Sequence, residues 1–353
     1  MRGAGPAPPP ARLADLIHAF RGRRVLVLAD LVADEFVYGR VQRVSREAPV
    51  LILEHDGAEV RLGGGANAVH NIRTLGGTPL PLGILGADTH GRQLRALLRE
   101  KGVATARVLT GAGYRTPVKT RILAGGAHST KQQVVRIDRA TRLDPKDPAR
   151  RAVRRALDGF RGRVDGVLVS DYGFGLLTPD LVQAAITFAR RRAVPVTVDS
   201  RHGLLAFRGM TAVTPNEPEV EAALGITIGH DHGRLEAAGR TLIRRLGAKA
   251  VLITRGSDGM ALFEPGRATT HIPIHGSDQV ADVTGAGDTV IATFTLALAA
   301  GASPAEASVL ANVAGGIVVM KRATSTVSAA ELLGAVAPAV AGAGGAKGVR
   351  TRS

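Results

Sequence analysis

Residues 282–288 read DVTGAGD and lead directly into a long apolar run, TVIATFTLALAA. The glycines permit a tight turn and expose backbone N–H groups where a helix begins. Those donors, with the positive end of the helix dipole, make a ready anion site. Asp288 stands beside it. In isolation Asp288 is equally compatible with a plain first-turn helix residue, where an acidic side chain is stabilised. The run that follows is apolar nearly all round, which predicts a buried helix and sets Asp288 at the end of a crevice. A carboxylate beside an anion hole is what phosphoryl transfer needs. The carboxylate takes a hydroxyl proton, and the amides of Gly285, Ala286 and Gly287 hold the charge on the migrating phosphate.

Other stretches carry weaker signals. In RLGGGANAVHNIRTLGG (61–77), GGGANA satisfies the dinucleotide pattern G-x-G-x-x-A, and Asp88 follows at a distance suited to a ribose contact. That fingerprint belongs after the first strand of a βαβ unit, whereas here it follows a region that breaks the α/β rhythm. Its glycines also allow close backbone approach to a polar ligand such as a sugar, and Asn67 offers a donor and an acceptor to hydroxyls or simply starts a helix. In TPNEPEV (214–220), Asn216 and Glu219 have capping-box spacing; the functional alternative sets Glu219 near a magnesium ion or its waters. ITRGSDGM (253–260) ends a strand in a glycine-containing loop suited to nucleotide phosphate, with Thr254 and Gly256 at its start. HDH (230–232) has no third ligand nearby and reads as ordinary surface.

These residues need a scaffold. Continuous apolar runs predict buried strands at 23–30, 78–86, 165–171, 193–199, 210–214 and 248–254. Helical patterns alternate with them at 65–75, 88–102, 146–159, 178–192, 232–246, 285–300 and 303–320. This alternation predicts an α/β fold: a doubly wound, mostly parallel sheet with helices on both faces. Residues 35–62 and 114–138 break the rhythm and predict short hairpin strands forming a small β-sheet lid over the crevice. The Pro-rich start, 1–12, reads as a flexible tail, 13–337 as one domain, and 338–353 as a disordered tail.

Composition narrows the classes. With 353 residues, 45% of them hydrophobic, the chain can bury a substantial core. The absence of cysteine excludes disulfides, thiolate nucleophiles and cysteine-based metal sites. No run approaches the ~20 apolar residues of a membrane span, and the start lacks the apolar core of a signal peptide, so the expected compartment is the cytoplasm, with no membrane partner. The net charge of +16 raises nucleic acid as a partner, but the arginines are scattered over helix faces and aromatics are only 3%, so none is expected. Anionic small molecules suit the charge as well.

Taken together, GGGANAVHNIRTLGG and DVTGAGDTVIATF, in this order and about 220 residues apart, resemble the two signatures of the PfkB (ribokinase-like) carbohydrate kinases, a likeness that runs from about Arg23 to Leu333. It implies ATP–Mg²⁺ as phosphate donor, Asp288 as catalytic base, Gly285, Ala286 and Gly287 as the anion hole, and Asn216 and Glu219 at the ATP–magnesium site, with Thr254, Gly256 and Asn312 also toward the nucleotide. More narrowly, residues 25–50, 116–138, 167–178 and 311–328 resemble the kinase domain of the D-glycero-β-D-manno-heptose 7-phosphate kinases, which phosphorylate the anomeric hydroxyl. Many of those are fused to a nucleotidyltransferase; this chain reads as a stand-alone kinase. It departs from the family at Asp199-Ser200-Arg201, where Asp-Pro-Lys is usual, and at Met320-Lys321-Arg322-Ala323-Thr324, where Gly-Lys-Leu-Gly-Thr is usual.

The residues agree in kind with such a substrate. Asp34, at the end of the first strand, Gly64 and Asn67 are candidates for reading sugar hydroxyls. Lys119, Arg121, Lys131 and Arg136 in the lid are candidates for its phosphate. Other readings are a sibling kinase for ribose, fructose 1-phosphate or an aminosugar, a non-catalytic sugar or nucleotide sensor, and a nicotinamide dehydrogenase, which gives the 282–288 motif no role. An exposed lid edge predicts a homodimer through the lid.

Overall fold

The structure is a computed structural model and describes residues 8–126, 131–276, 282–321 and 323–336. Helix α1 (Pro10–His18) leads into strand β1 (Arg24–Ala29). Strands β2 (Leu31–Val44) and β3 (Leu51–Gly64) then leave the main body and return, and α2 (Gly65–Thr74) follows. β4 (Thr78–Gly86), α3 (Thr89–Glu100) and β5 (Val108–Gly111) resume the alternation, before a second excursion through β6 (Val118–Gly125) and β7 (Gln132–Arg139). Next come α4 (Pro148–Asp158), β8 (Gly166–Asp171), α5 (Pro179–Arg191), β9 (Val196–Ser200), β10 (Ala212–Val213) and α6 (Glu217–Leu224). The chain closes with α7 (His232–Leu246), β11 (Ala250–Thr254), β12 (Met260–Phe263), β13 (Thr270–Ile272), α8 (Ala286–Ala299), α9 (Pro304–Val319) and α10 (Ala329–Val336).

Nine strands form the main sheet in the order β13-β12-β11-β10-β9-β8-β1-β4-β5. It is parallel from β5 to β11, with β12 and β13 added antiparallel at one edge. The central strand β1 buries Val25, Val27 and Ala29 on one face and Leu26 and Leu28 on the other, so both faces must be covered. One is covered by α1, α2, α3, α8, α9 and α10, the other by α4 to α7. The amphipathic α4 buries Val153 and Leu157 and turns its arginines outward, whereas α8 is buried nearly all round. The expected strands and helices thus stand, in a doubly wound sheet.

The lid is a separate four-stranded sheet of order β3-β2-β6-β7. Its first two strands are not short hairpin pieces but run for 14 residues each, beginning one residue after β1. Their inner ends, Leu31–Ala33 and Leu62–Gly64, are buried against the main body and so read as a continuation of its core. Asp34 accordingly lies four residues into β2, not at the end of the first strand. Of the tail expected at 1–12, residues 1–7 lie outside the described residues, and residues 10–12 belong to a helix. Pro10 opens a helix whose Leu13, Leu16 and Ile17 are buried at helical spacing, and a proline at the first helical position is favourable. The tail expected at 338–353 lies outside the described residues.

Candidate active site

The 282–288 motif turns at the N-terminus of α8. Asp282 ties the turn down: its carboxylate accepts from the Thr284 N–H at 2.8 Å and the Ala323 N–H at 3.0 Å. Gly285 caps α8 with φ of +80°, and a Cβ there would lie 2.6 Å from the Asn67 amide nitrogen. Backbone conformation and space both demand glycine. Of the three amides expected in the anion hole, that of Ala286 donates to the Val283 carbonyl at 3.2 Å; no acceptor among the described residues engages those of Gly285 and Gly287.

Asp288 is 4% exposed. One carboxylate oxygen accepts from the Tyr172 hydroxyl at 2.6 Å and the other from Asn67 Nδ2 at 3.1 Å. Burial raises its pKa to about 6, opposed by those two hydrogen bonds and by the Lys119 and Arg201 cations. At neutral pH the carboxylate is mostly ionised and able to take a proton. Asn67 is therefore turned to the carboxylate, with its carbonyl oxygen accepting from Asn71 at 3.2 Å.

Around Asp288 opens a cavity of about 690 Å³, within the range of small-molecule sites. Its walls bring together Asp34, Gly64, Lys119, Asn216, Glu219, Thr254, Gly256, Asn312 and residues 285–288, which lie far apart in the sequence. At the lid end, Asp34 accepts from the Thr324 hydroxyl at 2.7 Å, and its second oxygen lies 3.5 Å from Arg121. That oxygen is buried and has no hydrogen-bond partner among the described residues, as a ligand-reading group would be. Gly64 has φ of +52°, and a Cβ there would meet Tyr172 Cε2 at 3.1 Å. Burial and the neighbouring Arg201 lower the Lys119 pKa to about 8.

At the other end, Asn216 and Glu219 form a reciprocal capping box on α6, with bonds of 2.8 and 3.0 Å, while also lining the cavity. The capping reading of this pair thus stands, and both residues also face the cavity. Glu219 and Asp199 are half-buried close together, and desolvation with mutual repulsion raises the pKa of Asp199 well above the usual carboxylate range; that of Glu219 is raised chiefly by desolvation. Such a carboxyl pair suits a cation nearby. Among the described residues no group of three or more His, Asp or Glu could hold a metal.

The structure leaves two lid cations outside the cavity. Arg136 sits on the exposed edge strand β7 and is paired with Asp138 at 2.8 Å, and Lys131 is paired with Asp56. Arg121 is buried behind the wall beside Asp34. Asp88, the ribose candidate, caps α3 and accepts from the Gly91 and Thr116 N–H groups, both at 2.7 Å. The His230 side chain of HDH is 99% exposed at the cavity rim. Sequence reasoning missed Tyr172, Asp199 and Arg201, which enter the cavity from the C-terminal ends of β8 and β9. The available signal was the position of SDYG and DSR after buried strands, since ligands bind at the carboxyl ends of strands in open α/β sheets.

Comparison with known proteins accords with this geometry. The family model described as pfkB family carbohydrate kinase matches residues 31–331. Bifunctional protein HldE of Pelobacter propionicus is 40% identical over 326 residues, 92% of this chain and 65% of that protein. The HldE of a Caulobacter species is 41% identical over 323 residues, 91% of this chain and 64% of that protein. The chain thus spans under two thirds of the length of these relatives. Among solved structures, Arabidopsis thaliana ribokinase complexed with ribose and ATP aligns at TM-score 0.68 and 20% identity, over 90% of this chain and 99% of that one. Phosphofructokinase-2 from Escherichia coli in complex with potassium aligns at TM-score 0.71 and 18% identity, over the same shares. These two likenesses carry the fold. By the family match, which spans most of the chain, the protein belongs to the pfkB family of carbohydrate kinases.

Proposed function

We propose that the chain phosphorylates the anomeric hydroxyl of D-glycero-D-manno-heptose 7-phosphate, giving the 1,7-bisphosphate, with ATP–Mg²⁺ as donor. The observation that carries the chemistry is Asp288: buried, held by two donors, and set at the first turn of α8 beside the unengaged Gly285 and Gly287 amides. In this reading the sugar hydroxyl gives its proton to Asp288 as its oxygen bonds to the γ-phosphorus. The bond from that phosphorus to the bridging oxygen breaks, and ADP leaves. The Gly285 and Gly287 amides, Lys119 and Arg201 hold the charge on the group in flight. Magnesium on the ATP phosphates would neutralise their charge, with Glu219 meeting its waters. Asn216, Thr254, Gly256 and Asn312 line the end of the cavity assigned to the nucleotide.

The sugar is assigned from the heptose-kinase-like segments at 25–50, 116–138, 167–178 and 311–328, and from the lid. Asp34, whose second oxygen lies 3.5 Å from Arg121 but has no hydrogen-bond partner among the described residues, is suited to a sugar hydroxyl, and Lys119 and Arg121 supply buried charge for an anionic substrate. Lid closure would exclude water and limit wasteful ATP hydrolysis. The reading places the enzyme in the cytoplasm, where ATP is available, as a homodimer through the lid. Among the described residues no helix is long and apolar enough to cross a membrane.

The test is ADP release with ATP–Mg²⁺ over a panel of sugars and sugar phosphates, beside Asp288→Asn. Selective turnover of heptose 7-phosphate is expected, with a loss of about 10²–10⁴-fold in the variant, the range for removal of a general base. Preference for ribose, fructose 1-phosphate or an aminosugar would replace the substrate and keep the base. ATP binding with no turnover on any sugar would replace the kinase with a non-catalytic sensor.

A further inference from the structure

We propose that Tyr172 is the positioning residue for the catalytic carboxylate: its hydroxyl, carried on a loop that Asp30 anchors, fixes one oxygen of Asp288 and so aims the other side of the carboxylate at the reacting hydroxyl. The inference rests on Asp288 being the base of the proposed kinase. Tyr172 follows β8 directly, and its O–H donates to Asp288 Oδ1 at 2.6 Å. Its own backbone N–H donates to Asp30 Oδ2 at 3.0 Å, and the Phe174 N–H donates to the same oxygen at 3.2 Å. Asp30 sits immediately after β1 and is 2% exposed, so a rigid central strand sets the loop's position.

The ring is held as firmly as the backbone. Lys119 Nζ lies 4.6 Å and Arg201 Cζ 4.4 Å from its centroid, distances at which a cation is attracted to the ring face. Gly64, where a Cβ would stand 3.1 Å from the ring, leaves the space it occupies. A hydroxyl on a ring so fixed has one place to point. Burial and the Asp288 charge push the Tyr172 pKa well above its ordinary value, so the phenol remains a donor throughout the working pH range and does not compete for the proton.

The groups facing Asp288 are few. Asn67 comes from α2, Lys119 from β6, Tyr172 from the loop after β8, and Asp199 and Arg201 from the end of β9. Lys119 and Arg201 act at longer range as charges, and Asp199 opposes them. Among the described residues, Tyr172 and Asn67 alone bond the carboxylate, one per oxygen. Removing the phenol hydroxyl thus takes away half of its hydrogen-bond support and the hydroxyl's contact with Arg201, while both cations keep their charge.

The experiment replaces Tyr172 with phenylalanine, which keeps the ring, in the full chain. Aspartate carboxyl carbons are isotope-labelled and titrated by NMR, and the signal lost in Asp288→Asn identifies Asp288. A hydrogen bond to an ionised group converts to about one to two pH units. The Asp288 midpoint is expected to rise by that amount in Tyr172→Phe, and the acidic limb of kcat/KM to move with it. A fluorinated tyrosine at 172, a stronger donor of nearly the same shape, is expected to move the midpoint the other way, and serves if the phenylalanine variant does not fold. An unmoved midpoint overturns the proposal, as does activity reduced equally at every pH with the acidic limb in place. If the midpoint moves but Asp288→Asn turns over at the parent rate, the base assignment falls and the role of Tyr172 in catalysis falls with it.

Discussion

At Asp288 burial works against ionisation and hydrogen bonding works for it, and the balance sets when the enzyme can work. With its pKa at about 6, the proposed base is lost as pH falls through that value. Lys119 has the opposite requirement. Its cation, beside the site of transfer, is lost as pH rises through about 8. The expected kcat/KM profile is therefore a bell with limbs near these two values, and Lys119→Arg, which stays charged, removes the alkaline limb while keeping the acidic one. A profile flat from 5 to 9 would show that neither group is used as proposed. Asp288 and residues 285–287 were legible because a turn rich in glycine, an acid and an apolar helix are adjacent in the chain. Tyr172 and Arg201 were not, because only the strand order that sets β8 and β9 beside β1 brings them to the site. Arg136 shows a different limit. It stands opposite Arg121 in register and so shares its face of the lid, but alternation does not reveal that its strand is the exposed edge.

Among the elements, the turn after α9 carries the departure at 320–324. Ala323 adopts φ of +56°, a left-handed conformation that penalises any side chain, at the position where the resembling kinases tend to have glycine. It is kept there by the Asp282 carboxylate on its N–H, and the next residue, Thr324, holds Asp34. Ala323→Gly is expected to relieve about 1 kcal/mol of backbone cost. For a chain of this size the thermal midpoint would rise by about 2 °C. An unchanged or lower midpoint would show that the turn already absorbs the strain. The main-body elements were legible because buried strands and amphipathic helices differ in apolar period, and most of them lie within a few residues of expectation. The lid strands were cut short because their inner ends share the apolar character of β1. The first helix was missed because its opening proline, set in a Pro-rich stretch, reads as a linker until the buried Leu13, Leu16 and Ile17 are seen.

For the molecule as a whole, the lid's second face remains to be accounted for. Asp34, Lys119 and Arg121 mark the face toward the cavity; on the opposite face Ala58, Val37, Ile122 and Val135 stand in register across all four strands. Val135 and Ile137 are 48% and 55% exposed. An apolar row beside the edge strand β7 is a liability unless it is covered, and a second copy covers it at the cost of no new surface chemistry. Against association stands the charge of +16 on each chain, which repels an identical neighbour. Salt screens that repulsion and leaves apolar burial intact. The proposed lid dimer should therefore tighten as ionic strength rises, the reverse of a pairing held by ion pairs. Sedimentation across a range of protein and salt concentrations would read this directly. Val135→Lys, which places a charge at the edge-strand end of the row without touching the cavity, is expected to give monomers. A wild-type chain that stays monomeric at every concentration, or a dimer indifferent to the lysine, would move the interface off this face and leave the row to be explained by lid movement over the substrate.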